Sequence, residues 1–259
     1  MIKAVLRLQS IVASLTLVWL AALGAAFAEE SKQIEPSLSF DIVEPGVGAG
    51  GIASDGKSLW ISAQSARVPG IILQYSFQGK LLNRISLPNA GNIGGGLAHD
   101  GKHLYVLDYR NRLTTAKGIH FTGGGAVWRL QDNQLKNVAD IPEGQVNTCG
   151  LAWINGKLYY GNSPTVQPKS TIDSLDSEFK RSDSADVALY VRGLASDGET
   201  LWCSDTKRVY QLDAKFRVLK EFTPSVGLAD LEWSDGSLWG VENNKNRVHR
   251  FSIVTEKKK

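Results

Sequence analysis

Asp230 and Glu232 stand two residues apart in the stretch Ala229-Asp230-Leu231-Glu232-Trp233, where related stretches of the chain carry only glycine and alanine. Residues two apart on an extended strand face the same way. Two carboxylates so placed could hold an amine, bind a metal ion, or exchange a proton with a substrate, because burial raises a carboxyl group toward neutral pH. Arg192, just before another such stretch, is the expected ionic partner, and a buried carboxylate needs one. A second set of oxygen donors consists of Asp108, Asn162, Asp205 and Glu242, with Ala63 at the matching place in the first unit. Together they could ring a Ca²⁺ ion, or each could hold the amides of the turn that follows it. Lys117 and His120 lie with Arg110 and Arg112 in a basic insertion that ends in Gly123-Gly124-Gly125, and they could cover a ligand. His99, His103, His120 and His249 are scattered, without zinc-ligand spacing or a nucleophile motif.

These residues belong to a unit that recurs five times. A small residue is followed eight positions later by Leu: Gly51 and Leu59, Gly96 and Leu104, Gly150 and Leu158, Gly193 and Leu201, Asp230 and Leu238. Between them stand Asp55-Gly56, Asp100-Gly101, Asn155-Gly156, Asp197-Gly198 and Asp235-Gly236, which predict two-residue β-hairpins. The small start (Gly51-Ile52-Ala53 in the first unit) predicts a short inner strand, and Leu with an aromatic predicts the second. Third strands are read at 71–75, 127–130, 172–175, 209–212 and 248–251, and fourth strands at 81–85 and 218–222. Successive units start 45, 54, 43 and 37 residues apart. The chain therefore predicts an all-β, five-bladed β-propeller. Its last unit lacks a fourth strand, which Ser39-Phe40-Asp41-Ile42-Val43 can supply, so that an N-terminal strand closes the ring. Residues 29–259 then form one domain.

The first 28 residues read as a secretory signal peptide: Lys3 and Arg7, an apolar run from Ile11 to Phe27, and a small-x-small site at Ala26-Phe27-Ala28. The expectation is export, to the periplasm or the cell exterior, with no membrane insertion once the leader is gone. Loss of Lys3 and Arg7 takes two charges from the formal +3, leaving +1. Such a neutral domain gives no reason to expect nucleic acid. An oxidising compartment would permit a disulfide between Cys149 and Cys203. Cys203, however, stands mid-strand where other units have Ile61, Val106, Tyr160 and Gly240, which points to core packing.

The run Gly193-Leu194-Ala195-Ser196-Asp197-Gly198 through Leu201-Trp202-Cys203-Ser204-Asp205 and Arg208-Val209 resembles the repeats of NHL and SMP-30-type propellers. The SMP-30 likeness implies a metal-dependent lactonase or lyase. Residues 229–233 are also similar to the Asn-Glu-Leu-Glu-aromatic stretch of the five-bladed glutamine cyclotransferases. Glu232 and Trp233 match, Asp230 is a shorter acid, and Ala229 departs. Gly48 to Ile52 replace that family's early Phe-Thr-Gln-Gly-Leu. This likeness implies cyclisation of N-terminal Gln, with Glu232 as general acid/base and Asp230 on the substrate amine. The residues themselves lead first to an exported propeller that binds a small polar ligand or peptide at its channel mouth through Arg192, Asp230, Glu232, Lys117 and His120. A protein partner is also open, and no cofactor is firmly implied beyond a possible Ca²⁺.

Overall fold

The computed structural model describes residues 31–44, 46–64, 70–87, 93, 95–108, 112–115, 118–121, 125–142, 148–163, 170–242 and 245–253. The leader, Lys117, and the tips of the long connections lie outside the described residues. Residues Gln33–Lys259 make one compact unit. All its described regular structure is β. The chain starts with β1 (Lys32–Ile34) and β2 (Pro36–Asp41). Blade one is β3 (Gly48–Ser54), β4 (Leu59–Gln64), β5 (Gly70–Tyr75) and β6 (Leu81–Leu87). Blade two is β7 (Leu97–His99) and β8 (Leu104–Asp108), then a hairpin of β9 (Arg112–Thr115) and β10 (Gly118–Phe121), then β11 (Gly125–Gln131) and β12 (Gln134–Ile141). Blade three is β13 (Thr148–Ile154), β14 (Lys157–Asn162), β15 (Ser170–Leu175) and β16 (Arg181–Val187). Blade four is β17 (Gly193–Ser196), β18 (Leu201–Ser204), β19 (Val209–Leu212) and β20 (Val218–Pro224). Blade five is β21 (Leu228–Ser234), β22 (Ser237–Glu242) and β23 (Arg247–Phe251).

The fifth blade is closed by β2, antiparallel to β23, with Ser39 opposite His249 and Phe40 opposite Val248. The closing strand lies earlier than Ser39–Val43. Leu38 and Phe40 turn inward to pack between blades five and one, while Val43 is 73% exposed beyond the strand's end. The sequence pattern also gave no sign of β1, which adds a fifth strand outside β20 of blade four; there the Ile34 carbonyl accepts from Ser225 N at 3.2 Å.

The hairpins are of two kinds, and the position of Gly decides which. In blades three and five the loop is Asn155-Gly156 or Asp235-Gly236, with positive φ at both residues (52° and 76°; 51° and 64°), as a type I′ turn requires. In blades one, two and four the Asp-Gly pair comes one residue earlier in the unit, so Gly56, Gly101 and Gly198 take the first loop position at φ 80°, 91° and 91°. The Asp then flanks the loop, and its carboxylate is free to cap it. Asp55 Oδ1 accepts from Lys57 N and Ser58 N, and Oδ2 accepts from Trp60 Nε1 at 3.0 Å. Asp197 repeats this with Trp202 Nε1 at 2.9 Å, and Asp100 with the Tyr105 hydroxyl at 2.8 Å. The aromatic of the second strand is thereby tied to the turn before it.

Apolar clusters lie between successive blades, and the inner strands meet at the axis. A Cβ on Gly96 would stand 2.3 Å from Leu151 N, and one on Gly150 2.4 Å from Leu194 N. Only glycine fits where each blade's backbone rests on the next. Cys149 and Cys203 are both buried thiols, not joined in a disulfide. Burial pushes the Cys203 thiol far up, which leaves it a small apolar side chain.

Candidate functional site

Asp230 occupies the axis. It starts the inner stretch of blade five where the other four blades have glycine, and it is 2% exposed. Its Oδ2 accepts from Ile52 N at 3.0 Å and its Oδ1 from Leu194 N at 3.3 Å. The N–H groups of Leu97 and Leu231 also bond to it. Ile52, Leu97 and Leu194 each follow the glycine that starts their unit, so one carboxylate gathers amides from blades one, two and four as well as its own. These amides lie on the free inner edge of their sheets, where no further strand can accept from them. Asp230 therefore acts as a shared acceptor that joins four blades. Arg192, the expected ionic partner, has its N donating to Ser204 O at 2.8 Å, and its guanidinium charge acts on the Tyr190 phenol.

Glu232 behaves differently. Two strand residues place it about 7 Å from Asp230 toward the Asp235-Gly236 turn. It is only partly covered, and Ser54 N donates to its carboxylate. Burial pushes Asp230 up to about 8 against the pull of its four amides. Burial, with the nearby charge of Asp230, drives Glu232 well above the usual carboxylate range, and its single amide offsets little of that. Both carboxyls are thus raised, Asp230 with four amides at its oxygens and Glu232 with one.

The remaining residues spread out. The hairpin β9–β10 leaves β8 at Asp108, the end of the ring where inner strands begin. His120 is on β10, with its side chain outside the described residues, as is Lys117. Along β21 Asp230 comes nearer that end than Glu232, and the side chains of the insertion lie outside the described residues. Asp205 holds its turn, with Oδ1 accepting from Lys207 N and Arg208 N and Oδ2 from the Tyr210 hydroxyl. Glu242 accepts from Lys245 and lies against His249. Asp108 is buried and Asn162 half-buried. Among the described residues no three His, Cys, Asp or Glu come together as a metal-binding group. The sequence reading missed the hairpin carboxylates as tethers, although Asp five residues before an aromatic is visible in three units. It also missed the partners of His249, of which Ser39 is remote in sequence.

Comparison with known proteins gives a fold and stops there. No family model matches the chain, and no curated protein matches it. Solved structures do. A chain of a nidogen/laminin complex aligns with a TM-score of 0.54 at 17% identity, covering 76% of this chain and 73% of that one. The protein is a five-bladed β-propeller. A gluconolactonase from Xanthomonas campestris aligns with a TM-score of 0.45 at 13% identity, over 82% of this chain and 89% of that one. BamB from Moraxella catarrhalis gives 0.41 at 14% identity, over 78% and 59%. Among the described residues no helix is long and apolar enough to cross a membrane.

Proposed function

We propose that this is an exported binding propeller that takes a small polar ligand or peptide in its central channel, entered from the end where the hairpin turns lie. The observation that carries this reading is Glu232: a partly accessible carboxyl group in the channel, raised in pKa and held by one backbone amide. A neutral carboxyl both donates and accepts, which matches the two faces of a primary or peptide amide. Asp230 is excluded from ligand contact by its own amides and instead makes the floor. The test is calorimetric titration with Gln-initiated dipeptides and with simple amides at pH 6. Glu232→Ala is expected to weaken binding at least tenfold, with Glu232→Gln intermediate. Equal affinity in all three proteins would remove the reading.

The raised pKa of Glu232 also favours a second reading, a cyclotransferase-like enzyme in which Glu232 shuttles the proton as ammonia leaves an N-terminal Gln. Ammonia release from the same dipeptides, abolished in Glu232→Gln, separates turnover from binding alone.

A further inference from the structure

Ser39, His249 and Glu242 form a hydrogen-bonded chain across β2, β23 and β22. His249 Nδ1 lies 2.8 Å from Ser39 Oγ, and His249 Nε2 lies 3.0 Å from Glu242 Oε2. The imidazole is 4% exposed, while Ser39 is at the surface. Burial works to raise the pKa of Glu242, but the hydrogen bonds of Lys245 and His249 outweigh it and hold the carboxyl below its ordinary value. An ionised carboxylate only accepts. Nε2 must therefore carry the ring proton, Nδ1 presents its lone pair, and the Ser39 hydroxyl donates into it. In the neutral ring the chain therefore runs from hydroxyl to imidazole to carboxylate.

The backbone adds a further group. Ile42 N donates to Asn246 O at 2.8 Å, which makes Phe40–Val248 a hydrogen-bonded pair and Ser39–His249 a non-hydrogen-bonded one. Such pairs bring side chains close. They also turn the N–H of Ser39 away from β23, on the outermost strand of the sheet. Neighbouring cations are already engaged, Arg247 with Asp41 at 2.7 Å and Lys245 with Glu242 at 2.7 Å. The site has no spare charge for an anion, and its open setting suits small, uncharged substrates.

We propose that Ser39 is an activated nucleophile toward small uncharged esters and related phosphoryl electrophiles, with His249 as its base and Glu242 as the positioning residue. Ser39 Oγ bonds to the acyl carbon as its proton passes to Nδ1. The oxyanion that forms takes a hydrogen bond from the Ser39 N–H. The C–O bond to the alcohol then breaks, and the departing oxygen keeps the electron pair and takes the proton from Nδ1. Water attacks the acyl-Ser39 by the same route, releasing the acid and restoring the hydroxyl. The balance is ester plus water to acid plus alcohol, with nothing oxidised or reduced.

The test is labelling of the full chain with a fluorophosphonate probe, located by peptide mass mapping, together with hydrolysis of p-nitrophenyl acetate. The expected result is an adduct on Ser39 that is absent in Ser39→Ala and forms at least 100-fold more slowly in His249→Gln. Glu242→Gln is expected to slow it about tenfold and to move its pH profile, which a merely structural tie would not do. Ser39→Cys keeps the site testable if a His249 variant fails to fold: its thiol should be alkylated faster at pH 7 than a simple thiol. No adduct on Ser39 in folded protein, or equal labelling in His249→Gln, overturns the proposal.

Discussion

The fifth blade buries two carboxylates, Asp230 at the axis and Glu242 one strand further out at the end of β22, and they are driven in opposite directions. Asp230 rises to about 8 although four backbone amides point at it. Glu242 falls, with Lys245 and His249 as its chief partners. Amides are fixed dipoles without net charge, and deep burial outweighs them. A lysine at the rim brings a full charge while remaining hydrated. The difference teaches that the axial acid is held for its geometry, as an acceptor for several blades, and the outer acid for its charge.

The comparison can be broken most severely at the axis. Asp230→Ala leaves the amides of Ile52, Leu97 and Leu194 without their acceptor, and the expected loss is about 3–5 kcal/mol in urea unfolding. A loss below 1 kcal/mol would mean that water serves these amides as well. Next in size is the dependence of stability on pH. Asp230 and Glu232 have folded pKa values above their unfolded ones, so they favour the fold fully below about pH 4 and this contribution is lost as pH rises toward about 8. Asp100 has the opposite sign: held at about 2 by the amides of Lys102 and His103 and by the Tyr105 hydroxyl, it contributes above about pH 4 and is lost below. That contribution is roughly 1–2 kcal/mol after allowance for its partial exposure. Denaturation between pH 2 and 9 should show Glu232→Gln flattening the decline that sets in above about pH 4 and Asp100→Asn flattening the one below it. The smallest effect concerns the turns. Trp60→Phe removes the indole donor to Asp55 and should cost about 1 kcal/mol. Trp239→Phe, whose indole donates to the Ser234 carbonyl at 3.3 Å, tests whether the carboxylate tether is the stronger of the two, by the difference in denaturation midpoint.

The repeat was legible because its cause is local. An Asp-Gly turn, a Leu eight residues after a small residue, and an alternating strand are all set by near neighbours. The axial acids were legible as a break in that pattern. Their partners were not: Ile52 lies 178 residues from Asp230, and the donors are backbone groups that any sequence would carry. Charge pointed to Arg192 as a partner, and nothing in the residue types pointed to the amides that geometry brings to the carboxylate. The same distance hid Ser39 from His249, 210 residues away. The closing strand was placed within a few residues of its position, but Val43 looks as strand-like as Leu38 and Phe40, and only its exposure in the fold distinguishes it.

The pairing of β2 with β23 has a consequence for how the chain comes to be folded. β2 finds its partner some 210 residues further along, so during synthesis it must wait, unpaired, until all five blades have been made. Contacts of such long sequence separation slow folding and leave strand edges open to wrong neighbours. Blades one to three, built from consecutive strands, can form as they emerge. The fifth can be completed only once β23 has been made, which makes the meeting of β2 with β23 the step that closes the ring.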